Sequence, residues 1–468
     1  MASQRRRRRL VADLTPLRVS PQYRLLLGTQ LAGMLGANFT AVAVPYQIWV
    51  LTHSSLLVGM AGLVQAVPLI GGMLAGGALA DAHDRRLLLL ASRLLLAVVG
   101  VGLALNAGAG RGGLGMIFLL IAANQLLMGL GGPASTAAIP GLISPELLPA
   151  HGALSAIVHQ GATVVGPAFA GLLIAKAGLA SAYWVDVASF ATQVVLLLAM
   201  RPLRPGAGGR RASVGAIVEG LRFVSKNPLV LGLLLIDLDA MVFGMPRALF
   251  PALGTGLFHG DATTVGLLFA APGAGAVVAA VGSGWVGRVR RAGVAVVAAV
   301  VAWGVAITVF GLVPWLPLAL ALLAAAGAAD VISEVFRSTL LQLAAPDGLR
   351  GRVSALWLAQ VSASPRIGDA EAGTVAAVST PQISVISGGL ACIAGAVALV
   401  WLIPGLRHAR TAAPATNWQA AGPLPEVLQE DAGASVSQED AGASASRISS
   451  ARRAESAGSA SGEPNSGS

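Results

Sequence analysis

Charge is scarce in this chain. Only 11% of its 468 residues are Asp, Glu, Lys or Arg, against 55% hydrophobic, and the mean hydropathy is +0.75. A soluble globular surface carries more charge, so a polytopic membrane protein is expected. Cysteine is rarer still. The one residue, Cys392, lies in an apolar run, which excludes an internal disulfide. The six His are scattered without ligand spacing, so neither a metal centre nor a cofactor is expected. No acidic or metal-ligand cluster forms a catalytic centre, and no soluble catalytic domain is present, which points away from an enzyme. The phosphate-cradling pattern Gly-x-x-x-x-Gly-Lys-Ser/Thr is missing too, so ATP is not the expected energy source. The net charge of +10 would suggest nucleic acid in a soluble protein. Here the basic residues fall between apolar runs, where lipid and topology account for them.

What the chain has is apolar runs of the length a bilayer requires, about 20 residues each. Twelve are expected: 24–50, 56–80, 87–106, 114–138, 152–175, 179–200, 229–252, 264–287, 292–313, 317–343, 353–377 and 382–404. The fold class is therefore all-α, with twelve membrane helices in two bundles of six. The expected units are a basic tail over 1–22, a first bundle over 23–200, a linker over 201–228, a second bundle over 229–405 and a tail over 406–468. Lys and Arg concentrate in alternate loops. Arg5 to Arg9, Arg85, Arg86, Arg201, Arg204, Arg210, Arg211, Arg222, Lys226, Arg288, Arg290, Arg291, Arg350, Arg352, Arg407 and Arg410 fall on one side. Only Arg111 and Lys176 fall on the other. That bias places both termini in the cytoplasm of a multi-pass cell-membrane protein. In the linker, Ser213 is positioned to cap an amphipathic helix with Ile217, Val218, Leu221 and Val224 on one face, suited to a membrane surface. The final stretch, with QEDAGASVS followed by QEDAGASAS, reads as low-complexity tail.

The halves echo each other. Gly77, Arg85 and Arg86 recur as Gly282, Arg290 and Arg291, while Val286 replaces Asp81. Gly152, Ser155 and Ala156 recur as Gly351, Ser354 and Ala355. A six-span repeat of this kind places a substrate site near the bilayer midplane between the halves.

Ionisable residues inside spans are functional candidates by default. The substrate and proton pathway is expected among Asp237, Asp239 and Arg247 in the seventh span, Asp330, Glu334 and Arg337 in the tenth, and Arg366 and Asp369 in the eleventh. Asp237 and Asp239 lie about 200° apart on a helix, so at most one faces a central cavity. Asp330, Glu334 and Arg337 share one face. Arg366 and Asp369 are i, i+3 neighbours that can form a lock or a titrating pair.

The loop Gly77 to Arg86, GALADAHDRR, carries Asp81, Asp84, Arg85 and Arg86 at a tight turn between two spans. It resembles the loop between the second and third helices of the major facilitator superfamily. That resemblance implies a cytoplasmic gate latch with Asp81 as its acid, although Ala82 stands where a basic residue is usual. Gly161, Gly166, Pro167 and Gly171 in GATVVGPAFAG are similar to the fifth-helix signature of facilitator-type proton antiporters. EGLRFV, FGMPRALFPAL, DVISEVFRSTLLQL, PDGLRGRVSAL and RIGDAEAG resemble the enterobactin-exporter branch. The branch implies proton-coupled export of a siderophore or related secondary metabolite; a monomer is expected. The alternative is a multidrug or macrolide efflux pump. Its partners would be a small molecule, protons and lipid, and not nucleic acid.

Overall fold

The computed structural model describes residues 13–109, 113–203, 214–282 and 289–410. Arg5 to Arg9, Arg111, Arg204, Arg210, Arg211, Ser213, Val286, Arg288 and the tail repeats lie outside the described residues. Twelve long helices follow in order: α1 Pro21–Thr52, α2 Ser55–Ala82, α3 Arg85–Gly108, α4 Leu114–Ala138, α5 Leu148–Ala177, α6 Leu179–Leu198, α7 Pro228–Phe243, α8 Ala262–Gly282, α9 Ala292–Leu312, α10 Leu316–Ala344, α11 Asp347–Val378 and α12 Pro381–Leu402. A shorter helix, Val214–Lys226, precedes α7.

Apolar runs of this length become helices because a helix satisfies its own backbone polar groups without water. Short polar residues mark where several start. Ser20, Ser54, Asp84, Asn227 and Thr380 each accept a backbone N–H from the first turn of the following helix. Among the described residues, 11 helices are long and apolar enough to cross a membrane. The helix left out is α11, which carries Arg350, Arg352, Arg366, Asp369 and Glu371.

The seventh span departs from expectation. Instead of running through 229–252, α7 stops at Phe243. A short 3₁₀ turn at Arg247–Leu249 and a π turn at Leu253–Leu257 follow. Pro246 and Pro251 lack the N–H groups a continuous helix would use. The Gly244 carbonyl, whose helical donor Ala248 N–H goes to Asp369 instead, accepts the Trp303 indole N–H at 2.8 Å.

Helices α1–α6 pack among themselves, as do α7–α12. The halves meet mainly through α2 against α11 and α5 against α8. Both contacts are built on glycine, toward the end of the molecule away from Arg85 and Arg86. A Cβ on Gly266 would lie 2.7 Å from the Gly171 Cα, and one on Gly373 would lie 2.9 Å from the Gly59 Cα. Gly59 and Gly266 each sit on the first turns of their helix, and Gly171 and Gly373 each near the end of theirs. The two contacts thus occupy equivalent places in the repeat. At the other end, a Cβ on Gly77, Gly152, Gly282 or Gly351 would meet nothing within 4 Å. Gly77 could admit a close backbone neighbour, and none approaches it in this conformation.

Candidate functional site

Arg85 and Arg86 define the basic end. Asp84 caps α3 there, its Oδ1 accepting the Arg86 N–H at 2.8 Å and the Leu203 N–H at 3.0 Å. Arg85 donates to the Ala137 carbonyl of α4 at 2.8 Å. Arg86 donates to the Leu197 and Leu198 carbonyls of α6, both at 2.8 Å. Helix C-termini leave carbonyls open and carry partial negative charge, so two cations there join α3, α4 and α6. Asp81 is exposed, and the arginines hold carbonyls in its place.

In the second half, Arg337 Nη2 lies 2.8 Å from Asp237 Oδ1, and both side chains are sealed from solvent. Gln360 of α11 donates to Asp237 Oδ2 at 3.0 Å and to the Leu234 carbonyl at 2.8 Å. Arg337 also donates to Ser333 Oγ at 3.0 Å. The shared face expected of Asp330, Glu334 and Arg337 is divided: Glu334 is exposed, Asp330 half-buried and Arg337 buried. Asp330 sits near the middle of α10 with a buried Oδ1 that has no hydrogen-bond partner. Asp237, fully enclosed by its pairing, does not open to the space between the halves. Asp239 turns toward α12, where a Cβ on Gly395 would strike its carboxylate.

Arg366 and Asp369 do not form the expected pair. Asp369 Oδ1 accepts the Ala248 N–H at 3.0 Å, in the segment that follows the break in α7. Arg366 instead reaches into the other half, its Nη2 donating to Gln125 Oε1 of α4 at 3.2 Å. Gln125 donates in turn to Gln65 Oε1 of α2 at 3.0 Å. Arg247 is exposed and acts electrostatically on both Asp369 and Arg366. Among the described residues, side-chain hydrogen bonds between the halves join Arg366 to Gln125 near mid-depth and Trp49 to Thr255 toward the far end.

The α5 motif divides by position. A Cβ on Gly166 would lie 2.5 Å from the Asn38 Cβ of α1, and Gly171 faces Gly266 of α8. The Pro167 carbonyl lies 2.5 Å from where a Cβ on Gly266 would be. Gly161 has open space beside it, so of the three glycines in the motif only Gly166 and Gly171 meet a neighbouring helix closely.

Sequence reasoning passed over Asp186 in the sixth span. It is 1% exposed and accepts the Thr40 hydroxyl at 2.6 Å. Arg93 of α3 acts on it electrostatically. A lone acid in an apolar run was the available signal. Gln65 and Gln125 gave weaker ones, since a neutral amide barely interrupts such a run.

The arrangement is thus two repeated bundles that meet closely toward one end, with polar groups at mid-depth between them. The family model described as transmembrane secretion effector matches residues 11–439. The enterobactin exporter EntS of Citrobacter koseri is 31% identical over 402 residues, covering 86% of this chain and 96% of that protein. Its counterpart in Escherichia coli K12 is 30% identical over the same length. Among solved structures, a bacterial homologue of the iron transporter ferroportin aligns with TM-score 0.61 at 17% identity, covering 82% of this chain and 98% of that one. A bacterial homologue of the human lysosomal transporter Spinster aligns with TM-score 0.62 at 15% identity, covering 82% and 96%. At those identities the structures establish the fold alone.

Proposed function

Because the chain belongs to the transmembrane secretion effector family of the major facilitator superfamily, we propose that it exports a siderophore of the catecholate kind by proton-coupled alternating access. It is a transporter and not an enzyme. The observation that carries the substrate reading is the near-full-length similarity to enterobactin exporters. The working unit is a single copy in the cell membrane, with the basic end and both termini in the cytoplasm. Cargo enters from the basic end while the glycine contacts keep the far end shut. Export follows when those contacts part and Asp81 closes the loop at the basic end.

Coupling needs a group whose protonation differs between the two states. Asp330 is the first candidate, supported by its position near the middle of α10 and by its unpartnered Oδ1. Asp237 follows, weakened by its commitment to Arg337. Glu334, Asp239 and Asp369 complete the acidic set. Arg247, Arg337 and Arg366 attract or balance charge but do not carry the exchanged proton.

The test is secretion. A strain deleted for this chain, grown under iron starvation without a redundant pump, is expected to retain its catecholate siderophore. The Asp330→Asn variant is expected to retain it as well. Normal secretion by the deletion strain overturns the substrate. Export by Asp330→Asn that still follows an imposed pH gradient overturns the coupling residue and leaves the substrate standing.

A further inference from the structure

Arg366 is a cation in a membrane-length helix without an ionic partner among the described residues. Its nearest acid in sequence, Asp369, has Oδ1 committed to the Ala248 N–H. Two of its nitrogens are used, one on the Ser362 carbonyl of its own helix and one on Gln125 across the interface. Its Nε is buried with no hydrogen-bond partner. Arg247 adds a second positive charge to its surroundings. Asp369 still acts electrostatically on Arg366, and Arg247 acts on Asp330 as well as on Asp369, so the guanidinium is balanced at a distance and not by a contacting anion.

Among the described residues, the first half meets that charge with neutral amides. The donor direction runs one way: Arg366 to Gln125, Gln125 to Gln65, Gln65 to the Ala61 carbonyl at 2.9 Å. Each amide is held in orientation by the next, so Gln125 presents its carbonyl oxygen to the guanidinium. A neutral oxygen is a weak match for a guanidinium, whose planar fork favours carboxylate-like acceptors. A cation at this depth with no contacting anion is costly unless a ligand completes it. The backbone beside it is fixed as well, since a Cβ on Gly62 of α2 would lie 2.6 Å from the Arg366 carbonyl.

We propose that Arg366, backed by Gln125 and Gln65, is the subsite that takes the negatively charged oxygen group of the cargo, and that Gln125 holds the guanidinium only while that group is absent. The suitable chemistry is a carboxylate, phenolate or hydroxamate oxygen. The subsite rests on the reading of this chain as an exporter whose cargo passes between the halves. It also ties cargo to conformation, because α2 and α4 belong to one half and α11 to the other, and the two sides part when the far end opens.

Binding to the purified full-length chain in lipid nanodiscs tests this, with three probes: iron-free enterobactin, its O-methylated derivative, and an anionic hydroxamate. The wild type is expected to bind the anionic or ionisable probes about tenfold more tightly than the methylated one. Arg366→Gln is expected to lose that preference. Gln125→Glu places a permanent anion on the guanidinium at unchanged size, and is expected to weaken both oxygen-rich probes about tenfold. Should Arg366→Gln fail to fold, Gln125→Glu carries the test alone. Unchanged affinity in Gln125→Glu, equal binding of the methylated probe, or no binding of either oxygen-rich probe by the wild type overturns the subsite. Preference for the hydroxamate with no binding of enterobactin upholds the subsite and overturns the catecholate reading.

Discussion

Asp237 and Arg337 are fully buried and 2.8 Å apart. A buried pair of this kind contributes little net stability, because desolvation offsets the attraction, yet removing one partner strands the other. Asp237→Ala is therefore expected to destabilise the second half by about 3–5 kcal/mol, read as a drop in the melting temperature of the purified protein. The double variant Asp237→Leu with Arg337→Leu is expected to recover most of that loss. If the double variant also exports with normal pH dependence, the pair is structural and Asp237 leaves the list of coupling groups. Asp81 makes the opposite case. It is exposed while Arg85 and Arg86 hold helix-end carbonyls. Asp81→Ala is expected to leave insertion and melting temperature unchanged and to lower turnover, with little change in substrate affinity. Export at the normal rate by Asp81→Ala would reduce the loop to a topological marker.

Between helices, the far-end contacts depend on glycine. Gly171 against Gly266 and Gly59 against Gly373 let backbones approach closer than any side chain permits. Gly266→Leu is expected to wedge α5 from α8 and hold the far end open. Cysteine-accessibility labelling at a position near Gly260 would then rise, and export would fall. Unchanged labelling would show that the contact is not a gate. The helix Val214–Lys226 belongs to this scale too. Glu219 pairs with Arg352, and a Cβ on Gly220 would lie 3.1 Å from Leu356 of α11. Val224 is buried, while Val218 and Leu221 remain exposed. The apolar stripe expected to lie as one face on a membrane is thus split between α11 and the surface.

For the molecule as a whole, the charge bias orients every loop at once. A reporter fused after Arg410 is expected to read cytoplasmic and one near Gly260 extracytoplasmic, and an inverted result at either would reverse the layout. The number of long helices, most of their limits and the six-helix repeat were legible in the sequence. A bilayer forces each apolar run to satisfy its own hydrogen bonds, so length and composition suffice. Ser54, Asp84 and Asn227 each begin a helix by a local rule, accepting an N–H of its first turn. What the sequence left open was every question of which helix lies beside which. Periodicity told that Asp237 and Asp239 point apart, but not that one meets Arg337 and the other faces Gly395. It placed Arg366 beside Asp369, whereas the fold gave each a partner from a different element. The glycines at 59, 171, 266 and 373 are four among 59 in the chain. Only the crossing of α2 with α11 and of α5 with α8 brings them into contact, because close approach is a property of two backbones together.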